Sequence, residues 1–128
     1  PIVPFLKMLQ KYPEYEQEVK VPEKVWPLRI WYMYDQDVCT LIDVNERERK
    51  VKIKNYTDKI MFRAFGVMEE PDYNQYIEFL ESRCFPESRD KMKLILKDLG
   101  LPFYDPIMII EKTEGRMAED DFWIRIER

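Results

Sequence analysis

Residues 28–55 read LRIWYMYDQDVCTLIDVNERERKVKIKN, and this stretch decides the fold. Its opening, Leu28 to Tyr34, is mostly aromatic or branched apolar, the residue types that favour extended backbone. Asp35-Gln36-Asp37 supplies turn chemistry, Val38 to Val44 resumes strand composition, Asn45 to Glu48 forms a polar tip, and Arg49 to Asn55 follows. Three strands joined by two short polar connections predict an antiparallel meander. In the third, Val51 and Ile53 alternate with Lys50, Lys52 and Lys54, so a two-residue period sends the apolar side chains to a core and the lysines to solvent.

Downstream the periodicity changes. Asp72 with Gln75 three residues later is a capping box, and Tyr73, Tyr76, Ile77, Leu80 and Cys84 recur at helical spacing behind it. Pro86 breaks that pattern. A second helix is expected from about Glu87, with Met92, Ile95, Leu96 and Leu99 on one face and Gly100 as its stop. Asp105-Pro106 then offers an N-cap and a proline at the first helical position, with Ile107, Ile110 and Lys112 leading to a stop at Gly115. Phe122 to Ile126 alternates like a closing strand, whereas Asn55 to Met68 has no clean period and reads as a loop or short helix. Upstream, Val3 to Tyr12 predicts a short helix ended by Pro13, and Tyr15 to Pro27 an irregular connection. The expected organisation is an N-terminal helix and irregular arm over 1–27, then a single α+β domain over 28–128. Its antiparallel sheet of three to four strands packs against two to three helices.

The 128 residues suffice for one core that buries roughly two-thirds of the unfolded surface. With 45% hydrophobic, 36% charged and 14% aromatic residues the chain is neither disordered nor low-complexity. Lys and Arg number 21 against 25 Asp and Glu, so the net charge of -4 lacks the overall basic field of a dedicated nucleic-acid binder. Histidine is absent, which removes the commonest general base, triad base and metal ligand. Cys39 and Cys84 are too few for a disulfide scaffold or zinc cluster and are expected as buried, reduced thiols. No segment reaches the ~20 apolar residues of a membrane span, and no signal peptide is evident, so a cytoplasmic protein is expected. A first residue of Pro1 rather than Met leaves room for residues upstream.

Few constellations carry chemistry. The three glycines, Gly66, Gly100 and Gly115, are isolated, so a phosphate-binding loop is not indicated and no cofactor is expected. Glu119, Asp120 and Asp121 are the densest acidic cluster, but sequence neighbours seldom converge on one ion, and the expectation is a solvated turn or cap with no metal. The Lys50, Lys52, Lys54 stripe is the one concentrated positive feature. Edge protection explains it most simply, and a binding face for phosphates or an acidic partner, with Trp31 or Tyr34 as stacking groups, is the sharper reading.

The C-terminal half carries a more specific pattern. Phe65-Gly66-Val67, the run Phe79 to Arg89 with Arg83, Pro86, Ser88 and Arg89, then Leu99-Gly100-Leu101, and finally Gly115 through Asp121-Phe122-Trp123 follow in fixed order. This order resembles the region ahead of the kinase domain in bacterial HipA-like, toxin-type kinases, over about residues 28 to 126. The phosphate loop and the catalytic Asp and Asn motif of the kinase are missing, so kinase activity does not carry over. The resemblance implies a bacterial, non-enzymatic protein-binding accessory or regulatory domain whose partner is a HipA-like kinase, with Arg83, Arg89, Asp121 and Trp123 as partner-binding residues. The alternative is a nucleic-acid-associated regulator using Lys50, Lys52 and Lys54.

Overall fold

A computed structural model of the chain describes residues 21–128. The expected helix at Val3 to Tyr12 and most of the N-terminal arm lie outside the described residues. Four strands, β1 (Leu28–Tyr34), β2 (Asp37–Asn45), β3 (Lys50–Asn55) and β4 (Phe122–Glu127), form one antiparallel sheet in the order β3-β2-β1-β4. Three helices, α1 (Tyr73–Ser82), α2 (Met92–Leu99) and α3 (Pro106–Thr113), fill the connection between β3 and β4. The fold is α+β, as the sequence predicts.

β1 pairs on both sides, with β2 and with β4, and six of its seven residues are buried. The absence of alternation in LRIWYMY is the signature of a strand covered on both faces. On one face Leu28, Ile30, Ile42, Val44 and Ile124 meet Tyr76, Phe79 and Leu80 of α1 and Ile107 and Ile110 of α3. The other face gathers Trp31, Met33, Val38, Leu41 and Trp123. It also holds the cross-strand neighbours Arg29 and Asp43, joined by two bonds of 2.7 and 3.1 Å, with Arg29 only 3% exposed. Pairing jumps from Tyr32↔Thr40 to Met33↔Val38, leaving Cys39 as the extra residue of a bulge. That bulge lets Cys39 and Tyr32 share the helix-covered face while Val38 and Met33 share the other.

The helix signals act locally as expected at most termini. Both halves of the Asp72–Gln75 capping box are made, at 2.8 Å each. Asp105 accepts from the Ile107 N–H at 3.0 Å, with Pro106 at the first helical position. Gly100 ends α2 at φ 74°. The start of the second helix differs from expectation. Residues 87–91 form turns, with the Arg89 N–H bonded to the Pro86 carbonyl at 3.0 Å and Lys91 left-handed at φ 60°, so α2 begins only at Met92. Asn55 to Met68 includes a single 3₁₀ turn at Ile60–Phe62, and the Thr40 hydroxyl ties this loop to the sheet by accepting from the Ala64 N–H at 3.1 Å. Among the described residues no helix is long and apolar enough to cross a membrane.

Candidate functional site

Arg83, the C-cap of α1, organises the most elaborate surface feature. It is 7% exposed, and its fork donates to the Gly115 carbonyl at 3.0 and 2.7 Å, to both Asp120 oxygens at 3.0 and 3.1 Å, and to the Phe122 carbonyl at 3.0 Å. One side chain thereby fastens the end of α1 to the loop between α3 and β4. The loop leaves α3 through consecutive left-handed residues, Glu114 at φ 60° and Gly115 at φ 62°. A Cβ on Gly115 would lie 3.1 Å from Ile124 and 3.5 Å from the Arg83 Cβ, so the tight crossing of loop and helix needs glycine there. Asp120 also accepts from the Phe122 N–H at 3.0 Å. The Arg83 hydrogen bond holds its carboxyl below the usual carboxylate range, against the opposing effect of its partial burial.

This scaffold encloses a groove of about 320 Å³ between the end of α1, the last turns of α3 and the loop. Its floor is apolar, with Phe85, Pro86, Ile109 and Met117, and the exposed Arg89 and Arg116 stand on its rim. Arg89 lies 5.9 Å from the Phe85 ring centroid, while Arg116 bonds Glu114 at 2.7 Å and lies 5.0 Å from the Trp123 ring centroid. A second, more polar hollow of about 250 Å³ adjoins it, lined by Asp35, Gln36 and Asp121, and sharing Arg116 and Met117. Cys84 lies in the wall of the groove with its thiol pushed up to about 12, first by burial and then by Glu81 and Asp105, so it is protonated at neutral pH. Cys39, raised to about 11 chiefly by burial, is likewise no thiolate.

The residues named from sequence therefore meet in one region but divide by role. Arg89 and Asp121 are exposed and face solvent. Arg83 and Trp123 do not: Arg83 is occupied internally, and Trp123 is 2% exposed with its indole N–H donated to the Asp35 carbonyl at 2.7 Å. Both position the loop from beneath it. Phe85, Arg116 and Met117 are the groove residues that the sequence reading passes over. An arginine and a methionine directly after a helix-ending glycine were the available signal. Asp120 is tied to Arg83 rather than being part of a solvated turn, and among the described residues no three acidic or thiol groups are placed to hold a metal ion.

The lysine stripe lies on the edge strand β3, its three lysines exposed. Lys50 pairs with Glu48 at 3.4 Å, Lys52 stands 4.5 Å from the Trp26 ring centroid and Lys54 5.3 Å from that of Tyr56. Trp31, expected as a stacking group, is buried, and its indole N–H bonds Glu127 at 2.9 Å. Trp26 and Tyr56 are the aromatic neighbours of the stripe instead. No protein-family model, curated protein or solved structure matches the chain.

Proposed function

We propose that the chain is a non-enzymatic accessory domain that docks a protein partner in the groove between α1, α3 and the Gly115–Asp121 loop. The observation that carries this reading is the groove's composition: an apolar floor under Arg89 and Arg116, fixed in shape by the Arg83 fork. Apolar floors supply burial on association, and arginines at the rim orient an acidic or carbonyl-rich segment. The thiol in its wall is protonated, and Asp120, paired with Arg83 beneath the loop, is held in its ionised form, which suits recognition better than proton or acyl transfer. The resemblance to HipA-like regions makes a toxin-type kinase the first partner to try, since its residues Arg83, Pro86 and Arg89 all line this groove.

The test is affinity capture of tagged chain from its source cells with nuclease treatment, followed by titration against the captured kinase. Arg89→Glu and Met117→Asp alter exposed positions and leave the fold intact. Each is expected to weaken the partner's binding by roughly tenfold or more, the scale of a rim charge or floor contact in a small interface. Equal capture by both variants would overturn the groove as the docking site. The second reading, nucleic-acid binding through Lys50, Lys52 and Lys54, is favoured by the two aromatic rings beside that strand.

A further inference from the structure

The second hydrophobic cluster, Trp31, Met33, Val38, Leu41 and Trp123, lies on the sheet face away from α1 and α3, and none of its members is more than 4% exposed. The ion pair of Arg29 and Asp43 shares this face at 3% and 7% exposure. No helix contributes to the cluster, and among the described residues the hydrophobic side chains packed against it are Val21 and Tyr56. Arg125 stands over Trp31 at 5.5 Å and Arg116 over Trp123 at 5.0 Å. Two guanidinium groups and two part-buried side chains do not seal five large apolar residues and an ion pair from water. A sheet face is sealed by a further packed layer, about 10 Å away.

The chain itself supplies a candidate layer. Val21, the first described residue, packs on this cluster, so residues 1–20 are tethered at the face. Within them Val3, Phe5, Leu6, Met8 and Leu9 carry the apolar pattern that predicts a short helix ending at Tyr12. Ten residues of helix are about 15 Å long, whereas the axes of β2, β1 and β4 together span roughly 10 Å. One short helix is therefore long enough to cross the cluster. The eight residues between Tyr12 and Val21 reach as far as about 26 Å when extended, so the tether sets no obstacle.

Charge complementarity selects the same segment. The register sets Lys52 opposite Asp43, Lys54 opposite Leu41 and Arg125 opposite Trp31, which places all three cations on this face. Asp43 is engaged by Arg29, and Nη1 of Arg125 is buried with no hydrogen-bond partner among the described residues. Glu14, Glu16 and Glu18 put three carboxylates between the apolar stretch and Val21, the complement of these cations. We propose that residues 1–20 of the same chain dock on this face, the Val3 to Leu9 side chains against the tryptophans and the glutamates toward the cations, and so close a second layer of the core. The proposal is independent of what the groove binds.

The test is NMR on the full chain, measuring nuclear Overhauser contacts from the Trp31 and Trp123 indole protons to side chains of residues 1–20, alone and in a mixture of isotope-labelled and unlabelled chain. Contacts to Phe5, Leu6 or Leu9 within one chain are expected. Contacts that cross from labelled to unlabelled chain would assign the cover to a second copy, and no contact to residues 1–20 would leave the face to another partner; either overturns the proposal. A Phe5→Asp, Leu9→Asp double variant in a Trp26→Phe background, which removes the third tryptophan, provides a second readout. It is expected to open Trp31 and Trp123 to a collisional quencher and to move the unfolding midpoint to lower denaturant. Unchanged quenching and an unchanged midpoint would count against docking as firmly as missing contacts. If the variant does not fold, the contacts in the unmodified chain decide alone.

Discussion

The guanidinium of Arg83 donates to backbone carbonyls on either side of the 116–121 loop, Gly115 before it and Phe122 after it, while Asp120 within the loop answers its charge. Removing the side chain leaves two carbonyls and a carboxylate without donors beneath a packed surface. Arg83→Ala is expected to destabilise the fold by about 3 kcal/mol in denaturant titrations, and Arg83→Lys to recover only part of it, because an ammonium lacks the fork. The companion effect is on acid stability. Since the folded-state pKa of Asp120 is lowered, mainly by Arg83, its contribution is complete above the ordinary carboxylate value of about 3.9 and is lost as pH falls through the lower folded value. Asp120→Asn should therefore flatten the acid limb of a stability profile below about pH 4 and leave its slope near neutrality unchanged; an unaltered acid limb would mean that the pair does not couple to folding. The sequence singled out Arg83 and Trp123 as partner-binding candidates, but it does not report that both face inward. Their hydrogen-bond partners lie 32 to 39 and 88 positions away, and no local spacing reports such distances.

At the level of elements, legibility followed the range of the interaction that makes each one. Caps act within a few residues, so the starts of α1 and α3 and the stop of α2 were readable from Asp72, Asp105 and Gly100. The start of α2 was not, because Glu87 to Lys91 has no breaker to announce the left-handed Lys91. The β1–β2 bulge is equally silent in composition, since an extra Cys39 looks like any strand residue until its partner strand is known. The lysine stripe of β3 was legible in full, and its edge position gives it an immediate role: charges there discourage pairing with a second chain. A Lys50, Lys52, Lys54→Thr variant is expected to shift from its native state toward higher oligomers in sedimentation. Parallel filter binding with DNA and RNA decides the alternative, for a wild-type affinity that falls steeply with salt and vanishes on Lys→Glu substitution would assign the stripe to nucleic acid.

Across the whole molecule, stability should be graded by how many neighbours each element has in the sheet and core. β1 is hydrogen-bonded along both edges and covered on both faces, and its aromatic and branched side chains reach both hydrophobic clusters. α1 and α3 are anchored on the same sheet through Tyr76, Leu80, Ile107 and Ile110. α2 contributes a single buried residue, Leu96, and exposes Leu94, while β3 has one paired edge and alternates exposed and half-buried positions. Elements with few buried contacts open at a fraction of the global free energy, without dragging the rest of the chain with them. In native-state hydrogen exchange the β1 amides are therefore expected to exchange last, close to the global unfolding limit, and those of α2 first among the helices. The groove is built on the ends of α1 and α3, the better anchored helices, so it should persist through the opening of α2. Protection of α2 equal to that of β1 would contradict this gradient, and would mean that α2 is held by contacts beyond its one buried leucine.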